Sequence, residues 1–242
     1  MSAINPEELL LAYRLGIFPM AESRNAREVL WVRPHERCIL PLETFHVPRR
    51  LAATVRTDRF KITVDTQFAE IIRGCAEARP DRRETWINDA IVDVFTMLHA
   101  RGLAHSVETW HGDKLVGGLY GLALGAAFFA ESKFSRMTNA SKVALVHLAA
   151  RLKAGGYCLL DAQFPNPHLE QFGAVTVTEE RFQGLLAQAL ARAGDFYGLP
   201  PGGGGPGGGS STGTFAGAGD CGSGVASAGP GWSVLQVITQ TS

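Results

Sequence analysis

The sequence predicts an α+β protein: a small N-terminal domain, then a mixed β-sheet flanked by helices, then a flexible glycine-rich C-terminal tail. Three observations predict it. From Phe60 onward, short strand-like runs alternate with helix-period segments in the order β-α-α-β-β-β-α-β-α. The front part, residues 1–57, is too small to cover a core without a neighbour. After Pro200 the composition breaks: residues 202–231 hold 14 of the chain's 28 glycines, and Asp220 is the one charged residue beyond Pro201. Such a segment cannot recover its ordering entropy by burial, so residues 201–242 are expected to be a disordered tail. Its last apolar run, Trp232 to Ile238, is expected to dock as an edge strand or stay loose.

Each element has a local reason. Asn5-Pro6-Glu7-Glu8 combines a capping residue, proline at the first helical position and acidic residues in the first turn, and the helix it starts runs to Gly16. Ile17 to Met20 reads as an apolar turn, Cys38 to Leu42 as a strand and Pro48 to Arg56 as a basic helix. In the second domain, residues 58–200, Lys61 to Val64 is a strand. Asp65 or Thr66 caps a helix with Phe68, Ile71 and Ile72 on one face, and Asn88 caps another with Ile91, Phe95 and Leu98. Strands follow at Ala104 to Trp110, Leu115 to Gly121 and Leu124 to Ala130, the first two joined by a Gly112-Asp113 turn. Helix Ala140 to Lys153, strand Tyr157 to Asp161 and helix Glu179 to Arg192 complete the order.

Composition excludes several functions. With 23 basic and 23 acidic residues there is no global field to draw the chain to nucleic acid or membrane, so a polyanion must be met by a local patch. Cys38, Cys75, Cys158 and Cys221 form no CxxC pair and have no histidine at ligand spacing, which argues against structural zinc or a disulfide framework. No apolar run reaches membrane-spanning length and the N-terminus lacks a basic leader, so the expectation is a cytoplasmic protein without membrane contact, metal or cofactor.

Glu131 and Asp161 are charged residues where apolar strands run out, and in such sheets strand ends open onto a crevice. Gln163 lies two residues further on; an amide has no useful basicity and serves through hydrogen bonds. Spacing alone leaves these residues open between site and solvated edge. Cys158 reads as a core residue and His147 as a satisfied helical histidine. Met20, Trp86, Phe128, Leu145 and Leu148 are candidates to line one apolar pocket. Arg49, Arg50, Arg56, Arg59 and Lys61, with Arg79, Arg82 and Arg83, concentrate basic charge that fits either a solvated face or a phosphate backbone.

In order along the chain stand Gly16-Ile17-Phe18-Pro19, Trp86-Ile87-Asn88, His105-Ser106-Val107-Glu108, Leu115-Val116-Gly117-Gly118-Leu119-Tyr120-Gly121, Glu131-Ser132-Lys133-Phe134-Ser135-Arg136, Asn139-Ala140-Ser141-Lys142 and Leu159-Leu160-Asp161-Ala162-Gln163. This set closely resembles the bacterial leucyl/phenylalanyl-tRNA-protein transferases, over residues from about 8 to 200. The resemblance implies an acetyltransferase-like (GNAT) second domain. It also implies transfer of leucine or phenylalanine, and less often methionine, from aminoacyl-tRNA to the N-terminal arginine or lysine of a protein, marking it for degradation. By the same resemblance Asp161, Gln163 and Glu131 stand at the reacting centre, and Trp86, Phe128, Leu145 and Leu148 line the donor pocket with Met20 at its mouth. The basic residues Arg49, Arg50, Arg56, Arg59 and Lys61 become candidates to meet the tRNA acceptor stem. A monomer is expected. Asp161 is expected to hold and polarise the amine, with Gln163 as its relay and Glu131 binding an amino group.

One residue departs from the pattern. Lys133 stands where the family's ESMFSR motif has a methionine lining the donor pocket, and an inward ammonium would penalise an apolar donor side chain. Two rival functions remain from the residues: an acyl-CoA-dependent N-acyltransferase of the same fold, or a non-catalytic tRNA-binding module. The first is disfavoured because the loop Phe134 to Ala140 contains no glycine with which to cradle a pyrophosphate. The second leaves the acid and amide cluster unexplained.

Overall fold

A computed structural model describes residues 4–78, 84–199 and 230–239. Helix α1 (Pro6–Arg14) starts where the sequence placed it, with the Asn5 side chain accepting the Glu7 N–H at 2.8 Å. It buries Leu9, Leu10 and Tyr13, a stripe at helical spacing. The run read as an apolar turn is strand β1 (Phe18–Met20), paired antiparallel with β2 (Leu30–Val32). Asn88 fixes this hairpin from outside: its side chain caps helix α4 (Asp89–Ala100) through the Ile91 N–H and also donates to the Ala26 carbonyl at 3.0 Å.

Among the described residues the main sheet has seven strands. They are β3 (Glu36–Ile39), β4 (Lys61–Val64), β5 (Ala104–His111), β6 (Lys114–Leu124), β7 (Ala127–Ser135), β8 (Leu159–Gln163) and β9 (Val175–Thr178), in the spatial order β4-β5-β6-β7-β8-β3-β9. All neighbours are antiparallel except β7 and β8. That parallel pair is joined by helix α5 (Ala140–Ala154), as a parallel connection requires. β3 comes from the first 57 residues yet sits between β8 and β9, so the front of the chain completes the sheet beside Asp161.

Two apolar layers cover the sheet. On one side α5 packs with helix α2 (Arg49–Arg56); on the other lie α1, α4, helix α3 (Phe68–Ala76) and helix α7 (Glu179–Leu190), while a short helix α6 (Pro167–Glu170) follows β8. The paired glycines of β6 make both approaches possible. A Cβ on Gly117 would lie 2.7 Å from the Ala140 Cβ on α5, and one on Gly118 would strike the Ile71 side chain on α3.

The C-terminal run departs from its expectation. Residues 230–239 form helix α8, neither edge strand nor loose end, and bury Val234, Leu235 and Ile238 against α5 and α2. The Gly231 N–H donates to Asp58 Oδ1 at 2.8 Å and Lys153 Nζ to the Ile238 carbonyl at 3.0 Å, anchoring both ends. The rest of the expected tail, 201–229 and 240–242, lies outside the described residues, as do Arg79, Arg82 and Arg83. Cys158 was expected in the core and is exposed, because β8 starts one residue later. No helix among the described residues is long and apolar enough to cross a membrane, and no group of three or more potential ligands there is arranged to hold a metal.

Candidate active site

Two strand irregularities build the site. In the β6–β7 ladder Tyr120 pairs with Ser132 but Gly121 pairs with Ala130, so Glu131 is an extra residue in β7. It does not stand where the strand ends, as expected from sequence; β7 continues to Ser135, and a bulge turns Glu131 out of the ladder. In the β3–β8 ladder Ile39 pairs with Asp161 and Cys38 with Gln163, leaving Ala162 unpaired. Gln163 then adopts φ +58°, a left-handed conformation that costs a non-glycine residue about 1–3 kcal/mol and is held only by its surroundings. The parallel β7–β8 pairing stops at Phe129 and Asp161, so Glu131 and Gln163 both stand where the two strands part.

The parted strands open onto a cavity of about 330 Å³. Its apolar wall includes Met20, Trp86, Leu119 and Leu145, and its polar wall includes Glu131, Lys133 and Gln163. The volume falls in the range of small-molecule sites. Gln163 Nε2 donates to Glu131 Oε1 at 3.1 Å and the Tyr13 hydroxyl donates to the same oxygen at 2.7 Å. No hydrogen bond from a described residue reaches the other Glu131 oxygen. Burial pushes the Glu131 carboxyl up to about 8; Tyr13 holds it down, the Asp161 charge adds to the rise and Arg37 opposes it. Tyr13, wholly buried and facing Glu131, has its pKa driven well above the ordinary value by burial first and by that carboxylate second.

Asp161 does not face the cavity. It is fully buried, and the Arg37 guanidinium grips it with Nε on Oδ1 at 2.9 Å and Nη2 on Oδ2 at 2.6 Å. The Gln163 N–H adds a bond to Oδ1 at 2.9 Å. Burial pushes the carboxyl up while Arg37 and that N–H pull it back. The expectation that Asp161 holds the amine is corrected on this point: both of its oxygens are already taken. An Arg guanidinium stays charged, and removing its counter-charge would leave an unpaired buried cation, so Asp161 is kept as the carboxylate. Arg37 Nη1 also donates to the Gly16 carbonyl at 2.8 Å, and its guanidinium carbon lies 4.8 Å from the Phe18 ring centre and 4.4 Å from that of Phe182.

The chain matches, over residues 39–187, the family described as leucyl/phenylalanyl-tRNA protein transferase, and over residues 2–35 that family's N-terminal domain. A leucyl/phenylalanyl-tRNA–protein transferase of Caulobacter vibrioides is 53% identical over 200 residues, covering 83% of this chain and 92% of the relative. One from Paramagnetospirillum magneticum is 55% identical over 196 residues, 81% and 94% of the two chains. The chain belongs to the leucyl/phenylalanyl-tRNA protein transferase family. A solved structure of L-PGS from Bacillus licheniformis aligns with 77% of this chain and 70% of its own at 13% identity and a TM-score of 0.40, too loose a likeness to assign a fold.

Within this family member the residues singled out from sequence divide into three groups. Met20, Trp86, Leu145, Lys133, Glu131 and Gln163 meet at one cavity. Phe128 and Leu148 do not: both are fully buried, Phe128 stacked on Phe196 at 5.7 Å and Leu148 in the core beneath α5. Arg49, Arg50, Arg56, Arg59 and Lys61 are all exposed, on α2, in the turn after it and at the start of β4. Sequence reading missed Tyr13 and Arg37. Nothing local in the sequence marks either as the partner of a residue more than a hundred positions away.

Proposed function

We propose that this chain transfers leucine or phenylalanine, and less readily methionine, from aminoacyl-tRNA to the N-terminal arginine or lysine of a protein. The observation that carries the reading is the Gln163–Glu131 hydrogen bond on the wall of an apolar cavity large enough for one such side chain. Family membership supplies the substrate classes. The rest of the reading follows the same source: a cytoplasmic monomer, a GNAT-type second domain from residue 58, a basic face on α2 for the acceptor stem, and products marked for degradation. The antiparallel β4 to β7 run, followed by an α5 crossover to a parallel β8, supports the GNAT assignment.

The reaction replaces an ester by an amide. The acceptor's α-amine attacks the ester carbonyl carbon, the bond to the ribose oxygen breaks, and the proton lost by the amine ends on that oxygen. An α-amino group titrates near 7.7–8. Glu131, raised to about 8, is therefore matched to it, and proton transfer between the two is nearly level in free energy. Gln163 and Tyr13 hold the Glu131 carboxylate in place, and Asp161, locked by Arg37, fixes the backbone turn at Gln163. Since the ester is already activated, orientation contributes more than base strength: roughly 7–11 kcal/mol against about 1.4 or less for removing the amine proton at neutral pH. Incubation with labelled Leu-tRNA or Phe-tRNA and a peptide beginning with arginine should label the peptide. Labelled tRNA bound without transfer would support a tRNA-binding module instead, and labelling from acetyl-CoA an acyl-CoA enzyme.

A further inference from the structure

The donor cavity carries a cationic group that no described residue pairs with. Lys133 lines it beside Leu119, its partner across the β6–β7 ladder, and is only partly exposed. No hydrogen bond or ion pair from a described residue reaches its ammonium. The buried arginines among the described residues are matched: Arg37 by Asp161 and the Gly16 carbonyl, Arg151 by the carbonyls of Phe196 and Leu199. Neither nearby carboxylate is bonded to Lys133: Asp161 is held by Arg37, and Glu131 accepts from Tyr13 and Gln163 through one oxygen. The charged and titratable neighbours that act on Lys133 are Lys142, on the first turn of α5, and the buried Cys38 of β3. Burial, and then the like charge of Lys142, push the Lys133 amine below its ordinary pKa. Lys133 Nζ is not among the buried polar atoms left without a partner, so water reaches it, and a ligand that displaces this water has to bring an acceptor in its place.

We propose that Lys133 sets donor specificity in this chain, admitting aminoacyl groups whose side chains end in a carboxylate or carboxamide oxygen, of glutamyl or glutaminyl length, alongside leucyl and phenylalanyl. The inference rests on the transferase reading. An apolar donor covers the amine and strips its water without replacing the hydrogen bond, whereas an oxygen-ended donor restores it. Sites built to hydrogen-bond a substrate group discriminate strongly against analogues lacking it. A carboxylate would also relieve the repulsion between Lys133 and Lys142, so glutamyl should be favoured over glutaminyl if the amine is charged in the complex.

The test measures kcat/KM for transfer to an arginine-initiated peptide from tRNA charged with Leu, Phe, Gln or Glu, with the native chain and Lys133→Met. The native chain is expected to use Gln or Glu donors. Lys133→Met should lose them by roughly tenfold or more and gain on Leu and Phe by a similar factor. Transfer of Leu and Phe but neither Gln nor Glu by the native chain overturns the proposal whatever the variant does, even one that fails to fold. Identical donor profiles in the two chains also overturn it and leave the transferase reading standing. Transfer by the native chain from none of the four overturns that reading and the proposal with it.

Discussion

At the scale of single residues, Glu131 carries the sharpest consequence. Its carboxyl is raised from an ordinary 4.5 to about 8, so the folded state holds a proton that the unfolded chain releases earlier. The resulting stability is fully present below about pH 4.5 and is lost as the pH rises through 8. Glu131→Gln, neutral at every pH, should therefore melt at a higher temperature than the native chain at pH 9, with little difference at pH 5. The same substitution takes away the proposed proton acceptor and should lower kcat by roughly tenfold, with a small change in KM. A change in KM alone would make Glu131 a binding residue. Arg37 is the second case. Arg37→Met leaves the Asp161 carboxylate buried without its partner and should cost about 3–5 kcal/mol in denaturant unfolding. Paired replacement of Arg37 and Asp161 by apolar residues should recover much of that stability but not the activity, because the turn at Gln163 loses its anchor.

At the scale of elements, what could be read from sequence depended on whether the signal was local. Asn5 and Asn88 cap helices through bonds to residues two or three positions on, and α1, α3, α4, α5 and α7 lie where their apolar spacing put them. Pairing partners were not local. β3 joins β8 across more than a hundred residues, and the bulges at Glu131 and Ala162 exist only relative to a neighbouring strand, so the site's geometry was hidden while its residue types were visible. Helix α8 shows the same limit. Its apolar residues Val234, Leu235 and Ile238 fit a strand or a helix as isolated sequence, and the burial of α5 on both faces decided for helix. Leu235→Ala should cost about 2–4 kcal/mol in thermal or chemical unfolding. A chain ending at residue 199 should melt at a lower temperature and bind a hydrophobic dye; an unchanged melt would mean α8 contributes nothing to the core.

At the scale of the whole molecule, the deciding quantity is charge. A formal net charge of zero gives no long-range attraction for a polyanion, yet an aminoacyl-tRNA must be held long enough for its 3′ end to enter the cavity. Arg37 and Arg151 are spoken for inside the fold and Lys133 faces the cavity, so attraction has to come from exposed cations, and α2 presents Arg49 and Arg50 at its start and Arg56 at its end. α2 packs against α5 and α8, in the layer that covers one side of the sheet carrying Glu131 and Gln163. Taking one cationic side chain away from its phosphate should reduce the slope of log affinity against log salt by about 0.7–0.9. Arg49→Ala with Arg50→Ala should then flatten the slope for tRNA binding by roughly 1.5 and weaken binding alike for Leu-tRNA and Phe-tRNA. Measured in a potassium chloride series, an unchanged slope would move the acceptor stem to another face. Loss of binding for one tRNA alone would point to base recognition instead of a phosphate track.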